Sequence, residues 1–224
     1  GQRAMARAPY GMRTRDPEIP DIVIRRLPMY ARSLQAIIGQ GAASVSSDEL
    51  AASSGISSAQ IRRDLAYFGR FGTQGRGYNA PRLLAEINHI LGLDRTWTVA
   101  LCGYGNLGRA IAQYGGFVPS SFQIAAIFDR NEQRVGTEVG DIVVEPQANI
   151  ATSVRAKNIR LGIIAVPFDA AQSIADALID GGVAAILNYA PVHLRAPENV
   201  LVREIDPVGA MQSMTYYLAQ MDDD

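Results

Sequence analysis

Six residues, Gly103-Tyr104-Gly105-Asn106-Leu107-Gly108, have the types and spacing to hold a pyrophosphate. They have the form GxGxxG, follow the apolar, β-rich run Thr98–Cys102, and open a helical stretch. In such a motif the first glycine permits a tight turn, the second lets the backbone approach the diphosphate, and the third lets helix and strand pack closely. The helix start adds free N–H groups for phosphate oxygens. Asp129 closes the next apolar run, 26 residues after Gly103. A carboxylate there accepts hydrogen bonds from adenosine ribose hydroxyls and repels a 2′-phosphate, so the pattern points to NAD(H) over NADP(H). Arg130 follows directly and tempers that preference. A Rossmann-like domain that has lost its ligand, or one that holds coenzyme A, fits the same residues.

The second constellation is basic. A helix carrying Gln60, Arg62 and Arg63 follows a shorter helix and a turn at Gly55, the layout of a helix-turn-helix whose second helix enters a DNA major groove. Arginine presents a planar donor fork to guanine, and glutamine can pair with adenine. Ser58 and Tyr67, at the two ends of that helix, are placed in the same interface. Gly69-Arg70-Phe71-Gly72-Thr73-Gln74-Gly75-Arg76-Gly77-Tyr78 then reads as a tight β-hairpin, a wing whose Arg70 and Arg76 can approach phosphates or the minor groove. Asp64 is expected to pair with Arg62 or Arg63, or to cap a neighbouring element, without touching DNA. A plain helical bundle with solvated arginines is the competing reading.

Groups for catalysis are scarce. The chain has two histidines, His89 and His193, neither with an obvious acidic orienter in sequence, one lysine, Lys157, and one cysteine, Cys102, inside an apolar run. Disulfide frameworks and cysteine-based zinc sites are thereby excluded, and no metal site is expected. A dehydrogenase needs a proton donor or acceptor beside its nicotinamide, and none stands out. No run of 18 uncharged apolar residues is present, which excludes a transmembrane helix, and no secretory signal is seen at the N-terminus. The cytoplasm is the expected compartment. Residues 1–92 hold 12 basic and 7 acidic groups, against 9 and 15 in residues 93–224. That polarity suggests two domains with different partners.

The elements that must position these residues follow from periodicity. Residues 1–17 are Arg-, Ala- and Gly-rich without an apolar period and are read as a disordered arm or expression leader. Residues 18–92 are read as a winged helix-turn-helix domain. Its first helix carries Leu27, Tyr30, Leu34, Ile37 and Ile38 on one face. Ser46 and Glu49 have capping-box spacing, Ser57 or Ser58 caps the next helix, and a further helix carries Leu83, Leu84, Ile87, Ile90 and Leu91 up to Gly92. Residues 93–206 alternate short apolar strands (Thr98–Cys102, Phe122–Phe128, Ile159–Val166, Ala184–Leu187 and Val200–Ile205) with helices over 106–114, 148–156 and 169–179. That rhythm specifies an α/β fold, a Rossmann-like doubly wound parallel sheet covered on both faces. Residues 207–224 form a terminal helix and tail, with Asp206 as cap, Pro207 in the first turn, and an apolar side of Val208, Met211, Met214 and Leu218.

Several ordered stretches resemble the redox-sensing transcriptional repressor Rex family. They are Arg26-Leu27-Pro28-Met29-Tyr30, the run Ile61 to Gly69, Gly75-Arg76-Gly77-Tyr78-Asn79, the fingerprint itself, and Ile186-Leu187-Asn188-Tyr189-Ala190-Pro191. The resemblance runs from about Pro20 to Met221. It implies a homodimer that binds palindromic double-stranded operator DNA while NAD⁺ is abundant and leaves it when NADH binds, with no catalysis. It further implies that Gly103 to Gly108 and Asp129 hold the adenosine and pyrophosphate. Val166, Pro167 and the loop Asn188, Tyr189, Ala190 and Pro191 then border the nicotinamide half. The terminal helix is implied to be exchanged between subunits. Tyr114 and Asp206 match a pair that closes across subunits in the NADH form, and Arg32 matches an arginine that takes that aspartate in the other state. Pro207 departs from the family, which usually carries a bulky apolar residue there. An oxidoreductase with a helical appendage and a nucleotide- or coenzyme A-binding module that does not regulate DNA are the alternatives.

Overall fold

The computed structural model describes residues 19–222 apart from 70, 74–76 and 117–120. The arm expected over residues 1–17 and the wing arginines Arg70 and Arg76 lie outside the described residues. The chain divides into two compact units, Gly1–Asp94 and Arg95–Asp224.

The N-terminal unit runs α1 (Asp21–Gly39), β1 (Ser44–Val45), α2 (Ser47–Ser54), α3 (Ser58–Ala66), β2 (Gly72–Thr73), β3 (Gly77–Asn79) and α4 (Ala80–Ile90). α1 begins six residues ahead of the apolar stripe and continues through Pro28. A proline in a helix forfeits one hydrogen bond. Here Leu27, Tyr30 and Leu34 on the same helix are fully buried, and tertiary packing outweighs the local loss. The starts of the helices follow local chemistry. Ser46 and Glu49 form the reciprocal capping box of α2, Ser57 rather than Ser58 caps α3, and Asn79 caps α4. Leu50, Ile61, Leu65, Leu83 and Ile87 join the α1 residues in one core. The wing strands β2 and β3 pair antiparallel, and β3 also pairs with β1, a two-residue strand too short to show a period.

The C-terminal unit runs β4 (Trp97–Cys102), α5 (Asn106–Ala112), β5 (Phe122–Asp129), β6 (Glu138–Val139), β7 (Ile142–Pro146), a 3₁₀ turn Gln147–Asn149, α6 (Ile150–Ala156), β8 (Leu161–Ile164), α7 (Phe168–Asp180), β9 (Ala185–Asn188), β10 (Leu201–Glu204) and α8 (Pro207–Asp222). The sheet order is β10-β9-β8-β4-β5-β7-β6, parallel throughout except for β6, which runs antiparallel to β7. This is the doubly wound arrangement, with the strand order reversing between β4 and β8. The expected set of five strands lacked β6 and β7. β7 opens on only three apolar residues, Ile142-Val143-Val144, of which Val144 alone is buried and Val143 is exposed, and its place is set by backbone pairing to β5. Alternate residues of β4 face opposite cores, as strand geometry requires. Ala100 and Cys102 pack with Phe128, Ile174 and Leu178 of one cluster, while Val99 and Leu101 pack with Ile111 and Ile127 of the other. α8 is different: Val208, Met211, Met214, Tyr217, Leu218 and Met221 are all exposed.

Candidate functional site

The carboxyl ends of β4 and β8 meet where the strand order reverses. Gly103, directly after β4, has φ +100, and a Cβ there would stand 2.3 Å from the Ala165 carbonyl oxygen and 2.9 Å from Val166 Cγ1. A Cβ on Gly108 would stand 1.8 Å from the Gly103 carbonyl oxygen. Both positions therefore require glycine for the turn to close. Gly105 is under no such demand: an added Cβ would meet only Arg134 Nη1, at 3.7 Å. What glycine provides there is an open backbone surface that a diphosphate can approach.

Beneath this turn lies Asp129, 5% exposed. Its Oδ2 accepts from the Tyr104 N–H at 2.6 Å and from Arg134 Nη1 at 3.2 Å, and its Oδ1 accepts from the Asn131 N–H at 2.7 Å. Burial pushes this carboxyl up, but the two backbone donors and the guanidinium outweigh it and hold it below the usual carboxylate range. A cavity of about 880 Å³ opens beside it, lined among others by Asp129, Arg130, Gln147, Ala151, Ser173 and Ala177. That volume lies within the range of cofactor sites, roughly 300–1,000 Å³. Glycines that tolerate no Cβ, an open Gly105, an ionised acceptor and an adjoining cavity together fit an adenosine diphosphate half. Arg130 stands 4.0 Å from Asp169 and also lines the cavity. Arg134 escaped the sequence reading. The one available signal was the turn after Asp129, where Asn131 Oδ1 accepts from Gln133 N–H and the Asn131 carbonyl accepts from Arg134 N–H.

The other expected residues divide into two kinds. Tyr104 contributes its N–H, since its ring is buried in the core beneath the Arg109 guanidinium. Asn106 and Leu107 are exposed at the head of α5, which stops at Ala112, short of Tyr114. Val166 is brought against Gly103, and Pro167 is exposed beside it at the start of α7. Asn188 is fully buried and shapes the loop from within. Its Oδ1 accepts from Ala190 N–H at 2.9 Å, and its Nδ2 donates to the carbonyls of Ala190 and Val192. Tyr189 N–H donates to the Ile164 carbonyl and ties that loop to β8, while Ala190 is buried and Pro191 exposed. Gln172, also missed, clamps the far end of the loop by exchanging both of its amide groups with the Arg195 backbone at 3.0 Å.

Two expectations need correction. Asp64 does not pair with Arg62 or Arg63. It is completely buried and takes Arg26 Nε at 2.5 Å, Arg26 Nη2 at 2.7 Å, the Tyr30 hydroxyl at 2.6 Å and Gln60 Nε2 at 2.7 Å. Its side chain points away from the exposed arginines, into the junction of α1 and α3, where Arg26 and Tyr30 reach it from another helix. Burial raises this carboxyl and the four donors more than offset that, so it is held low, while burial and Asp64 hold the Tyr30 phenol high. The histidines, too, have carboxylate partners. His89 Nδ1 lies 2.5 Å from Asp94 Oδ2 and His193 Nδ1 lies 2.8 Å from Glu204 Oε1, both as exposed pairs. Cys102 is fully buried and its thiol is pushed up by that burial, which makes it no nucleophile. Among the described residues no group of His, Cys, Asp or Glu is placed to hold a metal ion.

On α3, Arg62 and Arg63 are exposed, as is Tyr67 just past its end, and Ser58 and Gln60 are half-buried. Arg62 Nη1 donates to Ser47 Oγ of α2 at 2.6 Å, and Gln60 is tied to Asp64 through its amide nitrogen. Arg32 is exposed on α1, in the N-terminal unit. Tyr114 is exposed in the C-terminal unit, and Asp206 Oδ1 accepts from Gly209 N–H at 2.8 Å, capping α8.

Two family models match the chain, one described as "Putative DNA-binding protein N-terminus" over residues 18–66 and one as "CoA binding domain" over residues 94–192. A redox-sensing transcriptional repressor Rex of Chloroflexus aggregans is 52% identical, over 92% of this chain and 97% of its own. The chain belongs to the Rex family. A Rex of Roseiflexus sp. is 51% identical over 91% of this chain and 92% of its own. Rex proteins are transcriptional regulators and not enzymes. A solved Rex-family repressor in complex with β-NAD⁺ and operator DNA matches with a TM-score of 0.87 and 36% identity, covering 91% of this chain and 94% of that one. The same repressor with β-NADH matches at 0.82 and 34%, covering 92% and 97%. The Rossmann-like fold and the DNA-binding N-terminal domain are those of this family. Among the described residues no helix is long and apolar enough to cross a membrane.

Proposed function

We propose that two copies of this chain form a repressor that grips a palindromic operator, holds NAD(H) at the carboxyl edge of its sheet, and releases the operator when the bound cofactor is reduced. One observation carries the reading: a turn whose Gly103 and Gly108 admit no Cβ stands over an ionised, buried Asp129 in a chain whose other unit presents an arginine-bearing helix. Gly103 and Gly108 shape the turn, Gly105 exposes its backbone to the diphosphate, and Asp129 accepts the adenosine ribose. The nicotinamide, when bound, supplies the signal, being cationic and flat when oxidised and neutral when reduced. Val166 and Pro167 form an apolar wall that favours the neutral ring. The loop held by Asn188 and Gln172 closes the same side with Tyr189, Ala190 and Pro191. Arg62 and Arg63 meet DNA, with Gln60, Ser58 and Tyr67 beside them and Arg70 and Arg76 on the wing against phosphates.

The exposed apolar side of α8 is the surface for a second copy of the chain, exchanged between subunits. Six large apolar side chains on one short helix are more than a solvated helix ordinarily shows. Asp206, at the foot of that helix, changes partner between Tyr114 and Arg32 as the dimer changes state. Turning a mostly bound repressor into a mostly free one takes on the order of 5 kcal/mol of differential affinity. The compartment is the cytoplasm, with the operator.

A palindromic operator complex titrated with NADH, NAD⁺ and NADPH tests the proposal. Release at far lower NADH than NAD⁺ or NADPH is expected, and equal release by all three defeats it.

A further inference from the structure

The carboxylate of Asp129 has about four acceptor positions. Three are filled: Tyr104 N–H and Arg134 on Oδ2, and Asn131 N–H on Oδ1. The two backbone donors are short, at 2.6 and 2.7 Å, and belong to the fold of the turn itself. The Arg134 contact is the longest, at 3.2 Å, and its side chain is 37% exposed. A ribose diol needs two acceptor positions, and only one is open. Of the three donors, Arg134 alone can leave without unmaking the turn.

A second partner for it lies close by. The Arg134 guanidinium lies over Gly105, with Nη1 3.7 Å from where a Cβ would be. Gly105 is the residue whose bare backbone the fingerprint offers to the diphosphate. An arginine that gives up a carboxylate there is already beside an anion with which it can make charge-assisted, bidentate bonds. Arg130 is placed differently, 4.0 Å from the Asp169 carboxylate.

We propose that Arg134 is a movable binding residue of the dinucleotide site. It shares Asp129 Oδ2 with the fold, yields that oxygen to the ribose hydroxyl, and passes its charge to the diphosphate. The inference rests on the dinucleotide reading above. It assigns opposite consequences to the two halves of the ligand: Arg134 competes with the ribose and attracts the phosphates.

Calorimetric titration of the full chain with ADP and with adenosine separates the two. In Arg134→Ala, ADP is expected to bind about tenfold more weakly, the loss of one charge-assisted hydrogen bond. Adenosine is expected to bind no more weakly than to the unaltered chain. The ADP affinity of the variant should also lose part of its salt dependence. Arg134→Lys keeps the charge, should recover most of the ADP affinity, and serves as the folded control if the alanine variant is unstable. Equal weakening of ADP and adenosine would mean that Arg134 only supports Asp129, and unchanged ADP binding would make it a bystander; either result overturns the inference. Failure of the unaltered chain to bind ADP overturns the dinucleotide reading first, and the inference with it.

Discussion

Among the described residues each of the two units buries one aspartate, and the pair is instructive. Asp64 and Asp129 are both almost wholly removed from solvent, and both carboxyls are held low by donors that outweigh burial. Asp64 takes four hydrogen bonds, all from side chains, and has no acceptor position left. Asp129 takes three, two of them from the backbone, and borders a cavity of about 880 Å³. Burial and ionisation are the same, so neither marks the binding residue. The difference lies in spare acceptor capacity and in the space beside it. Asp64 locks α3 to α1, while Asp129 is left able to receive a ligand.

The comparison breaks most visibly at Asp64. Asp64→Ala leaves the partly buried Arg26 guanidinium without its carboxylate. Removing one partner of a buried ion pair costs about 3–5 kcal/mol. Loss of the helical circular-dichroism signal of the N-terminal unit at lower denaturant is expected, with operator binding lost alongside it. Trp97, the sole tryptophan, stands in β4 and reports the other unit by fluorescence, which should unfold as before. Coincident shifts in both signals would show that the network is not confined to its own unit.

Next come the glycines above Asp129. Gly103→Ala forces a side chain onto the Ala165 carbonyl at a positive φ and is expected to cost on the order of 3 kcal/mol, lowering the midpoint of the Trp97 transition. Gly105→Ala meets nothing closer than 3.7 Å and should leave that midpoint nearly unmoved, while NADH affinity falls at least tenfold because a methyl group occupies the diphosphate's path. An equal loss of stability in both variants would remove the distinction between a glycine kept for the fold and one kept for the ligand.

The smallest effect is the acid limit. Both aspartates have folded-state pKa values below their unfolded value of about 3.9. Their contribution to stability is therefore fully present above about pH 4 and is lost as pH falls through the lowered folded values. Acid titration should destabilise both units below about pH 4. Asp64→Asn should flatten that limb in the helical signal and leave the tryptophan signal unmoved, whereas Asp129→Asn should flatten it in the tryptophan signal.

Much of the frame was legible beforehand because its causes are local. Ser46 with Glu49, the serine cap of α3 and the stripe from Leu27 to Ile38 act within one or two helical turns, where spacing is contact. The glycine turn is equally local, and strand, turn and helix came out in the expected order around Gly103. β6 and β7 were missed: β6 has two residues, and the apolar run of β7 is only three residues long and buries Val144 alone, so pairing with β5 decides its place.

The side-chain partners were the harder part. Asp64 looked bound to the adjacent arginines Arg62 and Arg63 because sequence weighs near neighbours, whereas its partners Arg26 and Tyr30 come from 38 and 34 residues away. His193 meets Glu204 eleven residues on, and Gln172 meets Arg195 at a distance of twenty-three. Residue types and short spacings specified which helices, strands and turns form, because those depend on backbone geometry within a few residues. Which buried carboxylate is closed and which can still accept depended on donors delivered by other elements, and only the packed chain brings those into reach.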